Sequence, residues 1–402
     1  MTNRIRAYAW GSRTAIAQLL GEQVPSAHPQ AELWIGAHPG DPSTIETPAG
    51  PVSLADHISN AAGQTLGSGP VERFGARLPF LLKVLAAAEP LSLQAHPSSA
   101  QASSGFAAEQ AAGLDINSPY RNYKDSSHKP ELICALTEFH ALCGFRDPRR
   151  SVTLLAELDS PALNRYLTLL SGQPDAQGTR ALFSSMITMP AVALGPLLDS
   201  VLAACVERIR AGSEFTTEYR TALELGERYP GDPGVLASLL MNRITLQPGQ
   251  ALYLGAGNLH AYLAGVGVEI MANSDNVLRG GLTPKHVDVP ELMRVLDFSV
   301  GEIPIIDPTP NGAGSSRYPT PTDEFSLSRL APAAADDGIP LDHPGPRVLL
   351  VVEGTATLTD AAGRQLLVPR GRSAWIDAAD ADVRVSGDCV AFLATDGLAP
   401  TG

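Results

Sequence analysis

Apolar and polar positions fall into three textures along the chain. Up to about residue 147, short apolar runs are broken by Pro and Gly, as in AELWIGAHPGDPS, LPFLLKVLAAAEPLSLQAHPS and KPELICALTEFHALCGFRD. Runs of that length bounded by turn residues predict strands. Leu78–Ala95 has room for two strands with a turn at Ala88-Glu89-Pro90, and LSLQA alternates as a strand does. The small-residue segment from Ser98 to Gly113 reads as a short capped helix or a mobile loop. From Pro148 to about Leu240, segments such as SVTLLAELDSPALNRYLTLL and AVALGPLLDSVLAACVERIRAG place apolar residues three and four apart between Pro and Gly. That spacing predicts amphipathic helices.

From Asn242 the alternating texture returns. ITLQPGQALYL and, further on, LLVPRGRSAWI share an outline of strand, Pro/Gly turn, strand. Paired units of this kind predict small jelly-roll barrels of the cupin type. The expected fold is mainly β with an α-helical insert: two cupin-like (jelly-roll) β-barrels plus a helical domain. A catalytic barrel would use residues 1–147 with 242–300, helices would occupy 148–241, and a second barrel would occupy 301–402. That second copy has no histidine at the equivalent positions, so it is expected to be metal-free.

Composition narrows this further. The chain has 402 residues, 44% hydrophobic and 18% charged, which suits large buried cores and argues against extended disorder. The 37 Gly and 33 Pro favour short strands and many turns. A net charge of −13 makes the surface a poor non-specific binder of nucleic acid or anionic membrane. An anionic substrate would need a local cluster of Lys and Arg. The scattered Cys134, Cys143, Cys205 and Cys389 show no metal spacing and fit a reduced cytoplasmic protein. No continuous apolar run suits a signal peptide or a membrane span. A monomer without nucleic-acid or membrane partners is expected.

Three segments could carry chemistry. Gln94 and His96, two apart on an extended chain, face the same way. They are either two ligands of one metal or polar residues satisfying each other. SSHKPELICAL puts Lys129 and Glu131 on one face of a strand start, with His128 matching neither, and GNLHAYL sets His260 after a Gly turn. Two histidines, a carboxylate and an amide can make a zinc site with a position left open. An exposed Glu131 and a turn histidine at 260 remain the plain alternatives. In NSDNVLRGGLTPKHVDV, Asp275, Arg279 and Lys285 could line a pocket, and an arginine beside two glycines can approach a phosphate closely, unless the segment is a solvated turn. The Gly-rich stretches fit no nucleotide-binding fingerprint.

Taken together, AELWIGAHP, LPFLLKVLAAAEPLSLQAHPS, YRNYKDSSHKPELICALTEFHALCGFR, GAGNLHAYLAG and NSDNVLRGGLTPK resemble the type I phosphomannose isomerases, from Tyr8 to about Phe298. GAHPGDPS is a shortened form of that family's loop. The resemblance implies a zinc enzyme of carbohydrate metabolism, on the route to GDP-mannose, that interconverts mannose 6-phosphate and fructose 6-phosphate through a cis-enediol. It assigns one zinc per chain to Gln94, His96, Glu131 and His260. It implicates Arg279 in catalysis and His128, Lys129 and Asp275 in proton handling or substrate contact. Arg279, Lys129, Lys285 and Tyr262 would bind substrate, while Glu269 falls in the same matching run with a less defined role. As base, His128 and Lys129 rank ahead of Glu131, because a metal-bound carboxylate is a weaker base. The competing readings are a catalytically inactive sugar-phosphate-binding regulator and an iron oxygenase. The full set of expected catalytic residues disfavours the first. The amide at Gln94 and the lack of a third candidate histidine disfavour the second.

Overall fold

The computed structural model describes residues 1–301, 303–333 and 338–399. Residues 302, 334–337 and 400–402, all within the expected C-terminal unit, lie outside the described residues.

The N-terminal sheet is organised about one strand, His260–Ala272. Its C-terminal part pairs with Phe80–Ala87 on one side and Glu131–Ala135 on the other. Its N-terminal part pairs with Leu93–Ala95 and Phe139–Phe145. The change of partners occurs at a bulge between Tyr262 and Ala264, followed by Gly265 at φ +123°. A Cβ there would meet the Glu138 carbonyl oxygen at 2.7 Å, so the crossing needs glycine. The two strands expected within Leu78–Ala95 are present, but each pairs with an opposite end of the long strand rather than with the other.

Strand Phe80–Ala87 reads as continuously apolar because both of its faces are covered. Phe80, Leu82, Val84 and Ala86 pack into one core, while Leu85 and Ala87 pack into a second on the inner side of the sheet. Lys83 lies on that inner side, an exception to the run that the site explains.

Between Phe139–Phe145 and Met241–Leu246 the chain is helical, from Pro148–Glu157 through Gly234–Ser238. The flanking strands are paired with each other, Phe139 opposite Leu246 and Cys143 opposite Asn242. The helices therefore fill a hairpin connection. Asp147 and Asp175 cap two of them, accepting from Arg149 and Arg150 N–H and from Gln177 and Gly178 N–H. Each such cap stabilises its helix by about 1 kcal/mol. The helical core is continuous with Leu142, Phe145, Leu259, Ala261 and Leu263 of the sheet. No single helix among the described residues is long and apolar enough to cross a membrane.

The C-terminal sheet repeats the plan. Strand Arg347–Thr359 pairs with Gln365–Pro369 through its second half and with Ser373–Ile376 through its first. Cys389–Thr395 lies on its other side. Here residues 360–364 close the hairpin that the helices fill in the N-terminal unit. The two sheets pack together through one core, with Tyr318, Leu327, Val348 and Phe392 against Leu82, Val84, Val268 and Ile270. Cys134 donates to the Tyr318 hydroxyl at 3.0 Å within this core. All four cysteines are buried free thiols, and burial pushes those of Cys134 and Cys143 up to about 12.

Candidate metal centre and active site

One row of side chains crosses three strands of the N-terminal sheet. His260, the first residue of the long strand, lies opposite Gln94, and Gln94 lies opposite Arg279. Residues directly opposite on antiparallel strands share a face, so the three side chains stand together. His96 follows just past the end of strand Leu93–Ala95. Beyond Pro97 the chain enters helix Ser99–Ala111, whose start is fixed by a reciprocal Ser98–Gln101 capping box. Of the two readings of this segment, the helix is the one realised.

His96, Glu131 and His260 converge, with one ligand atom from each lying within 4.8 Å of the others. His96 Nε2 is 3.3 Å from Glu131 Oε1, and His260 Nε2 is 3.6 Å from Glu131 Oε2. Each imidazole is oriented through its other nitrogen. His96 Nδ1 is 2.7 Å from the Asn276 carbonyl, and His260 Nδ1 is 3.1 Å from that of Asn258. Donation to a carbonyl from Nδ1–H leaves the Nε2 lone pair aimed at the centre. His96 Nε2 is fully buried, and its approach to Glu131 lacks hydrogen-bond geometry, so it is an orphaned acceptor. Asn276 is the hub behind it. Its side chain accepts from Lys124 and Asp125 N–H and donates to the Asp125 and Ser127 carbonyls.

The electrostatics suit a cation. Burial would raise the Glu131 carboxyl, but Lys129, with Nζ 3.1 Å away, and the two histidines hold it well below the usual carboxylate range. Burial, followed by the neighbouring His96, pushes His260 down to about 4. At neutral pH the cluster therefore offers a carboxylate and a neutral His260. That ionisation is what a metal requires of its ligands, and with the amide of Gln94 the donor set fits zinc.

Behind the cluster lies a buried polar network that the sequence reading largely missed. Lys83 Nζ is 3.0 Å from Glu269 and 3.5 Å from Glu32. Glu269 accepts from the Tyr262 hydroxyl at 2.9 Å, and Glu32 accepts from Trp34 Nε1 at 2.8 Å. Burial pushes the Glu269 carboxyl up, against the pull of Lys83. Burial would lower Lys83, yet Glu269 and Glu32 hold it above its ordinary value. The available signal was a lone lysine inside PFLLKVLAAA and a lone glutamate before LWI. Gln94, Lys129, Glu131, His260, Tyr262 and Glu269 surround a slot of about 60 Å³. That admits a metal ion and a water, or the reacting end of a sugar, but not a whole hexose phosphate.

The remaining expected residues lie outside the slot. Arg279 is half-buried, has no acidic partner among the described residues, and is pushed down by burial. Lys285 is lowered by burial and then by Arg279, so two cations act on each other without a counterion among the described residues. The backbone after Arg279 is pinned by Asp232 of the helical unit, which accepts from Leu282 N–H at 2.9 Å and Thr283 N–H at 3.1 Å. Asp275 is largely exposed and sits 3.3 Å from His38, whose hydrogen bond lowers its carboxyl.

His128, off the face that Lys129 and Glu131 share, is not among the residues lining the slot. Its Nε2 lies 2.7 Å from Glu324 Oε1 instead. Burial would raise Glu324, but the bonds from His128 and Thr322 bring it down to about 2. A carboxyl with a lowered pKa in the fold adds stability above its unfolded value, near 4.5, and loses it as pH falls toward 2. Glu324→Gln is therefore expected to lower the melting temperature at pH 6–7 and to flatten its fall between about pH 4.5 and 2. Equal acid profiles for the variant and wild type would show that the pair contributes nothing.

Comparison with known proteins agrees with this geometry. The family model "Phosphomannose isomerase type I, catalytic domain" matches residues 1–148. Mannose-6-phosphate isomerase of Escherichia coli (strain K12) is 40% identical over 392 residues, 96% of each chain. The Homo sapiens protein of that name is 33% identical over 375 residues, 87% of this chain and 86% of its own. Among solved structures, a zinc-bound mannose 6-phosphate isomerase superposes with a TM-score of 0.90 at 38% identity, covering 98% of both chains. The Salmonella typhimurium enzyme bound to substrate and a zinc atom also gives 0.90 at 38% identity, covering 99% of this chain and 98% of its own. On the extent and identity of these matches, the chain belongs to the type I phosphomannose isomerase family.

Proposed function

We propose that the protein is a zinc-dependent isomerase interconverting mannose 6-phosphate and fructose 6-phosphate, and that its two sheets are cupin-like barrels of which the first is catalytic. The observation that carries this reading is the convergence of His96, Glu131 and His260, with an orphaned Nε2, on a slot that also holds Gln94 and Lys129. His96, Glu131, His260 and Gln94 would hold the zinc. When bound, it supplies a Lewis acid that polarises and orients the sugar's C1 and C2 oxygens.

The chain's own residues divide the remaining work. The C1–C2 end of the open sugar enters the slot, and the phosphate stays outside it, where Arg279 and Lys285 offer unneutralised cations. Lys129 faces the reacting carbons from the Glu131 side and offsets the negative charge that develops on the enediol oxygens. Proton transfer between C2 and C1 needs a group able to take and return a proton near neutral pH. Glu269, whose carboxyl burial raises, lines the slot with Lys129 and is the group placed to do it, oriented by Tyr262 and Lys83. Ring opening precedes entry, so it falls to residues outside the slot: Asp275, steadied by His38, and His128.

The test is the isomerase assay with bound metal quantified. Zinc-loaded wild type is expected to turn over mannose 6-phosphate, and chelation to abolish turnover. His260→Ala is expected to lose both metal and activity. Arg279→Ala is expected to keep its metal while kcat/KM falls about 10²- to 10³-fold, the scale of losing one partner of a desolvated charge pair. A wild type that binds the sugar phosphates without turnover would establish the regulator reading instead.

A further inference from the structure

One cavity shares no lining residue with the metal cluster. It lies in the C-terminal barrel, encloses about 630 Å³, and is lined in part by Ser315, Arg317, Ser326, Ser328, His343 and Arg384. Its position follows from strand register. In the N-terminal barrel Glu131 is three residues before Cys134, which pairs with Ala251, the first strand residue after a Pro-Gly turn. In the C-terminal barrel Arg347 is three residues before Leu350, which pairs with Ser373, the corresponding first strand residue after its own turn. From that anchor the ladders run in step. Glu269 pairs with Lys83, and Leu393 pairs with Ser328. Leu85 pairs with Glu32, and Leu330 pairs with Ser315. The cavity is thus built on the inward positions that form the reactive slot in the first barrel. Glu32, Lys83 and Glu269 become Ser315, Ser328 and Leu393, and Glu131 becomes Arg347.

These replacements remove the chemistry and leave a receptor. Arg347, buried and donating to the carbonyls of Leu341, Asp377 and Asp380, puts a cation where the metal-binding carboxylate stood. The acid–base pair Lys83–Glu269 has become a hydroxyl and an alkyl chain. Ser315 and Ser326 are 8% and 6% exposed, face the cavity, and have no hydrogen-bond partner for their hydroxyls among the described residues. Their hydroxyls open onto the cavity and are free to bond a ligand that brings donors and acceptors. The Arg317 guanidinium likewise has no acidic partner among the described residues, and Arg384 also lines the cavity, held to the Gly338 carbonyl at 2.7 Å. Leu330 and Leu393 supply an apolar floor. Arginines suit a phosphate, hydroxyls suit a polyol, and the volume suits a ligand of hexose-phosphate size.

We propose that the C-terminal barrel carries a second, non-catalytic site for a phosphorylated sugar, in the cavity topologically equivalent to the reactive slot. The ligand's class rests on the function proposed above; the cavity does not. The test uses the full-length, zinc-loaded protein and equilibrium binding of fructose 6-phosphate, with inorganic phosphate and fructose as separate probes. Wild type is expected to bind two equivalents of fructose 6-phosphate per chain. Arg279→Ala, weakened at the reactive slot, is expected to keep one. Adding Ser328→Leu, which fills the cavity, is expected to abolish that one, and adding Arg317→Ala to weaken it about tenfold, the scale of one charge-assisted hydrogen bond. Ser328→Leu alone is expected to leave kcat unchanged. Binding of inorganic phosphate but not fructose at the residual site would place recognition in the phosphate. A single equivalent in wild type, no residual binding in a normally melting Arg279→Ala, or residual binding indifferent to both Ser328→Leu and Arg317→Ala would each overturn the proposal. The turnover of wild type decides the catalytic reading separately.

Discussion

Replacing Glu131 with Gln is expected to abolish isomerase activity and zinc retention together. Gln is nearly isosteric, so the slot keeps its shape and only the charge is lost. Glu131 is the group both histidines face, at 3.3 and 3.6 Å, and the counterion of Lys129 at 3.1 Å. Loss of an outer hydrogen-bond partner of a ligand typically costs 10- to 100-fold in metal affinity or activity. Loss of the only carboxylate in the expected donor set costs more, and kcat is expected to fall at least about 10³-fold, beyond that range. Lys129 is also left buried and uncompensated, which further repels the cation. Metal content and turnover are measured side by side after chelation and re-addition of zinc. Wild type is expected to recover and Glu131→Gln to stay inactive. A variant that retains both zinc and turnover would remove Glu131 from the centre.

The second large effect is expected at Lys83. Its ammonium, like the Glu32 and Glu269 carboxylates it joins, is nearly inaccessible to water. Lys83→Met keeps the packing of the aliphatic stem but leaves two buried carboxylates facing each other. Breaking a buried pair in this way costs about 3–5 kcal/mol. The loss should show in denaturant unfolding at neutral pH and shrink in acid, where protonation relieves the repulsion. Activity should fall as well, because Glu269 loses the ion pair that opposes the effect of burial on its carboxyl. Adding Glu32→Gln to Lys83→Met is expected to restore part of the stability without restoring turnover. If the two substitutions are additive in stability, Lys83 and Glu32 are not coupled as their geometry requires.

The division of the chain into strands, helices and strands was legible because each texture has its own period. Apolar residues three and four apart over Ala191–Arg210 cannot line one face of a strand, and the alternation in ITLQPGQALYL cannot line one face of a helix. The parity of Lys129 and Glu131, and the exclusion of His128 from their face, also followed from sequence, since side-chain direction on an extended chain is a local property. Type and direction are written residue by residue.

Convergence is not local. Lys83 was passed over because PFLLKVLAAA looks like any strand covered on both faces, and only the register with Glu269 and Glu32 reveals that one charged residue there has two partners. His128 was assigned by its motif, but its partner Glu324 comes from the far end of the chain, nearly 200 positions away. The equivalence of the two sheets at Glu131 and Arg347 is likewise invisible until the Gly turns are aligned through paired strands. The sequence by itself determined which residue types were present and which way each local segment could point them. The tertiary structure alone decided which of them meet, because pairing register and sheet packing join positions whose separation along the chain carries no signal of their distance in space.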